Sequence, residues 1–233
     1  MAPRKKALLV GIGQGCVNDV LAVRGLLVSL KSYAPDDVQV LCDVALDSVP
    51  KANPPTVPNI IYGMHWLLDT AEPGDDLLVF WSGRTKSFAN LITAHVKYMT
   101  ALMGALPKDV KLVMLMDSCP VSQWPFKWVA AAETGTCVTL TAAPPCDGYD
   151  PQAHVVVLSG NEQADDFVHM VEERGFYTTF ASSVIQALTH SDVKAMSVLE
   201  LLLLLKRNMT KKAPEFRPMC GTTALETLCK PIW

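Results

Sequence analysis

The sequence predicts an α/β fold, a six-stranded and mainly parallel sheet sandwiched between helices, and three observations predict it. Short apolar runs recur with no alternation of wet and dry positions, the clearest being Val-Lys-Leu-Val-Met-Leu-Met from Val110, as expected of strands covered on both faces. Between these runs lie stretches with apolar residues at helical spacing, and right-handed crossovers turn that alternation into a parallel sheet with helices on both sides. Two of the runs stop abruptly at small or polar residues, one at Ser82-Gly83 and one at Asp117-Ser118-Cys119. Ligands and chemistry in open parallel sheets lie beyond the carboxyl ends of strands, so these tips mark where a site belongs.

In chain order, residues 6–12 read as the first strand, and Gly11, Gly13 and Gly15 lead into a helix over 18–30 with Val20, Val23, Leu26, Leu27 and Leu30 on one side. The glycines do not make a dinucleotide fingerprint, because the third position of Gly-x-Gly-x-x-Gly falls at Cys16. Residues 38–43 form the second strand. The proline-rich stretch 44–58 is a loop, 59–70 a helix, and Pro73-Gly74-Asp75 turns into the strand 77–81. A helix begins at Thr93 and is followed by the strand that ends at Asp117. Residues 124–149 read as loop with a short strand over 137–140, and 154–159 is the sixth strand. A polar stretch over 161–174 precedes helices over 176–188 and 196–208, the latter apolar nearly all round and so buried. The tail from Pro214, with Pro218 and Pro231, reads as irregular.

Composition narrows the function classes. With 233 residues, half of them hydrophobic and 18% charged, the chain buries a substantial core and is read as one domain over 1–233. A net charge of −3 gives no electrostatic basis for nucleic-acid binding. The basic Arg4-Lys5-Lys6 opens a short apolar run that meets glycines at once, which fits a core strand better than a signal peptide. The leucine-rich run from Val198 contains Glu200 and falls short of the ~20 residues a membrane span needs, so no membrane association is expected. Seven scattered cysteines with no Cys-x-x-Cys pair argue against a disulfide framework or a zinc site and for a reducing, cytoplasmic setting.

The chain resembles the metacaspases, caspase-fold cysteine peptidases. The resemblance rests on an apolar strand ending in Asp117-Ser118-Cys119, an earlier strand ending in Trp81-Ser82-Gly83, and Gly15-Cys16-Val17-Asn18-Asp19 near the start. Pro-Asn-Ile-Ile-Tyr-Gly-Met-His-Trp-Leu from Pro58, Pro125-Phe126, Val-Val-Val-Leu-Ser-Gly from Val155 and the stretch from Gly175 to Leu188 continue the match in the same order. The resemblance implies a caspase-like fold, with Cys119 at the nucleophile position. It also implies a substrate pocket for a basic side chain, formed by Cys16, Asp19, Ser82 and Asp117. Asp19 has a second, compatible reading as a first-turn helix residue favoured by the helix dipole.

The departures from the family carry as much weight as the matches. Where the family reads Ser-Gly-His-Gly, with His as the catalytic partner of the Cys, this chain has Ser82-Gly83-Arg84-Thr85. Arg84 stays charged below pH ~12 and neither takes nor gives the proton that peptide cleavage requires. The family's acidic loop after this point is short here, Ala94-His95 stand where paired Asp is usual, and Trp124 replaces an acidic residue. Calcium asks for six to eight oxygens, so the family's calcium site reads as lost, and no metal or other cofactor is expected. These features imply a pseudopeptidase that acts by binding, its partner an active metacaspase or a basic peptide segment. The alternative is a working endopeptidase cleaving after Arg or Lys, with His95 as a substitute base. Oligomeric state is left open.

Overall fold

A computed structural model describes residues 3–44, 52–83, 98–117, 128–134, 137–142, 153–159, 167–170, 176–189, 196–208 and 215–218. Along the chain run β1 (Lys5–Ile12), α1 (Gln14–Leu30), β2 (Val38–Cys42), α2 (Val57–Leu68), β3 (Asp76–Gly83), α3 (residues 98–104) and β4 (Lys111–Met116). There follow β5 (Trp128–Thr134), β6 (Cys137–Ala142), β7 (His154–Ser159), β8 (Phe167–Met170), β9 (Phe176–Thr178), α4 (Thr179–Thr189), α5 (Val198–Asn208) and β10 (Glu215–Pro218). The main sheet has the order β2-β1-β3-β4-β7-β10-β5-β6, and β8 and β9 form a separate two-stranded ribbon.

The first five strands of that order are all parallel. Each reads as a continuous apolar run because alternate residues enter two different cores. Leu9, Phe80, Leu115 and Leu158 face α1, α4 and α5 on one side. Leu8, Val79, Met114 and Val157 face α2 and α3 on the other. This is the mixed α/β architecture of a caspase-like fold, a parallel sheet flanked by helices.

The six expected strands are present, and the sheet is wider than expected by two. Residues 128–134, read as loop, form β5, and Glu215–Pro218, read as irregular tail, form β10. Strand β10 runs antiparallel to both β7 and β5, and β5 runs antiparallel to β6. Backbone pairing on both sides overrides the weak strand propensity of an Ala-Ala-Ala segment, and Pro218 is tolerated at the very end of its strand. Likewise Phe167–Met170, inside the stretch read as polar and irregular, is strand β8.

Helix boundaries also move in ways that matter for the site. Helix α1 starts at Gln14, four residues earlier than expected, with Gly13 as its N-cap at φ 99°, a conformation suited to glycine. Asp19 therefore lies in the second turn of α1, and the first turn holds no acidic residue, so the helix-dipole reading of Asp19 is not what the fold supports. Helix α4 starts at Thr179, with Phe176–Thr178 forming strand β9 instead of the first helical turn. A capping box opens α5: Ser197 Oγ accepts from the Glu200 amide at 3.2 Å, and Glu200 Oε2 accepts from the Ser197 amide at 2.6 Å.

Candidate active-site socket

The register of the parallel strands brings their carboxyl ends together. Gly11 pairs with Ser82, Ile12 with Gly83, Trp81 with Met116, and Met116 with Ser159. The Asp117 amide continues the ladder by donating to the Trp81 carbonyl at 2.8 Å, which sets Asp117 beside Ser82. Since Trp81 and Met116 point into the α2 core, alternation turns the next residues, Ser82 and Asp117, toward the face covered by α1.

Helix α1 comes down on that face at close range. A Cβ built on Gly11 would lie 2.9 Å from the Cys16 carbonyl oxygen and 2.9 Å from Val20 Cγ2, so only glycine lets the helix approach β1 this closely. The approach brings Asp19 over the strand ends. Ser82 Oγ donates to Asp19 Oδ2 at 2.5 Å, and the Thr178 amide donates to Asp19 Oδ1 at 3.1 Å. Asp19 and Ser82 are both fully buried, and Asp117 nearly so. At the other end of the rim, the Gly13 amide donates to Asp43 Oδ2 at 2.9 Å and holds the start of α1 to the end of β2.

Burial dominates the electrostatics of this cluster. It pushes the Asp19 carboxyl up to about 7; the hydrogen bonds from Ser82 and Thr178 pull against that, and the Asp117 charge adds to it. The Cys16 thiol is pushed up to about 11, again mainly by burial, with the Ser82 hydroxyl lowering it and Asp19, Asp117 and Asp43 raising it. Cys16 is thus a neutral thiol at any physiological pH, packed against the same hydroxyl that Asp19 holds. Two carboxyl groups, a hydroxyl and a thiol are thus gathered around one strand edge, a cluster rich in hydrogen-bond acceptors.

All four residues expected in the socket, Cys16, Asp19, Ser82 and Asp117, come together in this way. Cys119, Arg84, His95 and Trp124 lie outside the described residues. The fold adds Thr178, which the sequence reading placed inside a helix. Its hydroxyl accepts from the Ala181 amide at 3.1 Å, so it heads α4, and a Thr just before an apolar helical run is a signal that points there. His65 sits in α2 on the opposite face of the sheet, bonded through Nδ1 to Asp69 Oδ2 at 2.7 Å and through Nε2 to the Tyr98 hydroxyl.

Comparison with known proteins finds relatives for part of the chain. Residues 5–91, which carry β1 to β3 and with them Cys16, Asp19 and Ser82, match the family model described as metacaspase, peptidase C14 domain. The matched region is metacaspase in type. Metacaspase-1 of Debaryomyces hansenii is 40% identical over 145 residues, covering 50% of this chain and 32% of that protein. Metacaspase-1 of Meyerozyma guilliermondii is also 40% identical over 145 residues, covering 50% of this chain and 35% of that protein. Metacaspase-1 of Pyricularia oryzae is 36% identical over 88 residues, covering 34% and 22% respectively. The chain thus spans about a third or less of the length of these metacaspases.

Proposed function

We propose that this metacaspase-like chain is a pseudopeptidase, a module that takes a basic side chain of a peptide into the socket of Cys16, Asp19, Ser82 and Asp117 and does not cleave it. The observation that carries the binding half is the buried pair of carboxyl groups at the strand ends, Asp19 held by Ser82 and Asp117 beside it. A planar guanidinium or an ammonium group matches such acceptors. The non-cleaving half rests on sequence: Arg84 stands where the resemblance calls for the catalytic His. A thiolate at Cys119 would attack a carbonyl, but the leaving amine needs a proton, and a guanidinium does not supply it. The partner is an active metacaspase or a basic peptide segment. Calcium and other cofactors play no part, and the module works in the cytoplasm. Among the described residues no helix is long and apolar enough to cross a membrane.

Two measurements test this reading together. Arg- and Lys-containing peptides should bind, with binding lost in Asp117→Asn, and none should be turned over. Robust hydrolysis abolished by Cys119→Ala would overturn the proposal and favour an active peptidase with His95 as base. Absence of binding to any basic peptide would overturn it from the other side.

A further inference from the structure

The socket has a member that comes from neither the sheet nor α1. We propose that Thr178, the residue heading α4, is a positioning residue that governs whether Asp19 carries charge, and that it thereby makes the grip on a cation proton-linked. This rests on reading the socket as a cation site, and it names how that site is regulated.

The argument starts from the geometry of Asp19. Its carboxyl group is fully buried, so an ionised form must be held by donors or not exist at all. Two donors are in place. One is the Ser82 hydroxyl, from the sheet; the other is the Thr178 amide, 159 residues along the chain, at the start of an 11-residue helix. Ser82 is the stronger of the two, and the second sets the carboxylate at the amino end of α4, where the helix dipole favours negative charge. That amide is aimed by the Thr178 side chain. By accepting from the Ala181 amide, the hydroxyl locks Thr178 as the cap of α4, and the same hydroxyl also stabilises the Asp19 charge directly, more weakly than the amide does.

The other groups around Asp19 push the opposite way or are neutral. Asp117, from the end of β4, raises it through charge repulsion. On α1 itself, Cys16 is a neutral thiol, and Asp43, at the end of β2, is engaged with the Gly13 amide. Helix α4 has no ionisable residue, and Tyr177 lines a groove between α1 and α4. Among the described residues the charge of Asp19 is thus set by burial and Asp117 on one side and by Ser82 and Thr178 on the other. A guanidinium or ammonium entering the socket tips that balance toward the carboxylate, so it displaces a proton to solvent. Affinity then rises with pH until Asp19 is ionised before binding, and levels off above.

Carbon-13 NMR of the Asp19 carboxyl in the free protein reads the first half of the proposal without any ligand. The unmodified protein and Thr178→Ser, which keeps the hydroxyl, should titrate together near neutral pH. Thr178→Val and Thr178→Ala should titrate about one unit higher, a tenfold change in the proton equilibrium. Calorimetry with N-acetylarginine amide, in buffers of different ionisation heat, reads the second half on the unmodified protein and needs no variant to fold. About half a proton should be released per bound cation near pH 7, and almost none at pH 9. An Asp19 that titrates below pH 5, or that is indifferent to Thr178→Val in a folded protein, would overturn the role of Thr178. Binding with no proton release at pH 7 would overturn the linkage. No cation binding at any pH, with the NMR shifts as expected, would remove the cation-socket reading and leave the hold of Thr178 on Asp19 standing.

Discussion

Asp19 on α1 and Ser82 at the end of β3 meet at 2.5 Å with neither side chain exposed to solvent, although 63 residues separate them. Their pairing fixes the helix over the strand tips and leaves the Asp19 carboxyl wholly inside the protein. That group gives folding stability a definite dependence on pH. In the folded state the Asp19 carboxyl sits at about 7, above its ordinary 3.8. Between those values the folded protein binds more protons than the unfolded chain, so this contribution is fully present at the acid end and is lost as pH rises toward 7. The effect is at most about 4 kcal/mol, and in Asp19→Asn it should be absent. Urea unfolding of both proteins from pH 4 to pH 8 should show the stability of the Asn variant rising relative to the unmodified protein as pH increases. A constant difference across that range would contradict the burial of an ionisable Asp19.

Ser82→Ala removes the sheet donor and leaves the buried carboxyl to Thr178 alone. The expected loss is ~1–3 kcal/mol, the usual cost of an unsatisfied buried polar group. The carboxyl should move further above its value in the unmodified protein. Chemical denaturation gives the first quantity and carboxyl NMR the second, and the two should change together.

Gly11→Ala tests how the helix is seated. The new methyl meets a backbone carbonyl of α1, which has no side-chain freedom with which to yield, so the whole first turn must lift. We expect a destabilisation on the order of 1–3 kcal/mol and a weakened Asp19–Ser82 contact, seen as a change in the Asp19 titration. A neutral substitution would mean that α1 sits further from β1 than described.

Calcium should neither stabilise the protein nor change its binding of basic peptides. The basis is the sequence, with its short segment after Arg84 and with Ala94, His95 and Trp124 at acidic positions of the family. A ligand of the native state at a hundredfold excess over its Kd would add ~2.7 kcal/mol, a shift of several degrees in Tm that a chelator-controlled melt would detect.

The parallel half of the fold was legible because its strands are buried on both faces, which leaves a mark in the sequence that needs no partner to interpret: Leu-Leu-Val from Leu8, Leu-Leu-Val-Phe-Trp from Leu77, Val-Val-Val-Leu from Val155. Ser82 and Asp117 stood out for a related reason, since they follow directly on such runs, whereas Cys16 and Asp19 were picked out only by the family resemblance of Gly15-Cys16-Val17-Asn18-Asp19. Strand β10 left no such mark, since its partners lie more than 55 residues away, as in Glu215 opposite Ser159, and β5 left none because its Ala-Ala-Ala run has weak strand propensity of its own. Thr178 was hidden differently. Its chemistry depends on where α4 begins, and a shift of three residues at a helix start turns an interior residue into a cap.

Strand β10 joins the sheet by a route that bears on when the molecule can finish folding. It fills the space between β7 and β5, so among the described strands the β5–β6 hairpin reaches the parallel sheet only through it. A ribosome that has not yet released Glu215–Pro218 holds a chain whose five parallel strands can already be assembled, yet whose β7 ends in a row of open amides and carbonyls. Such an edge is a template for another chain. Late synthesis of four residues therefore decides how long the nascent protein stays prone to self-association. A truncation ahead of Glu215 would make that transient hazard permanent, while leaving Asp19 and Ser82 untouched in sequence.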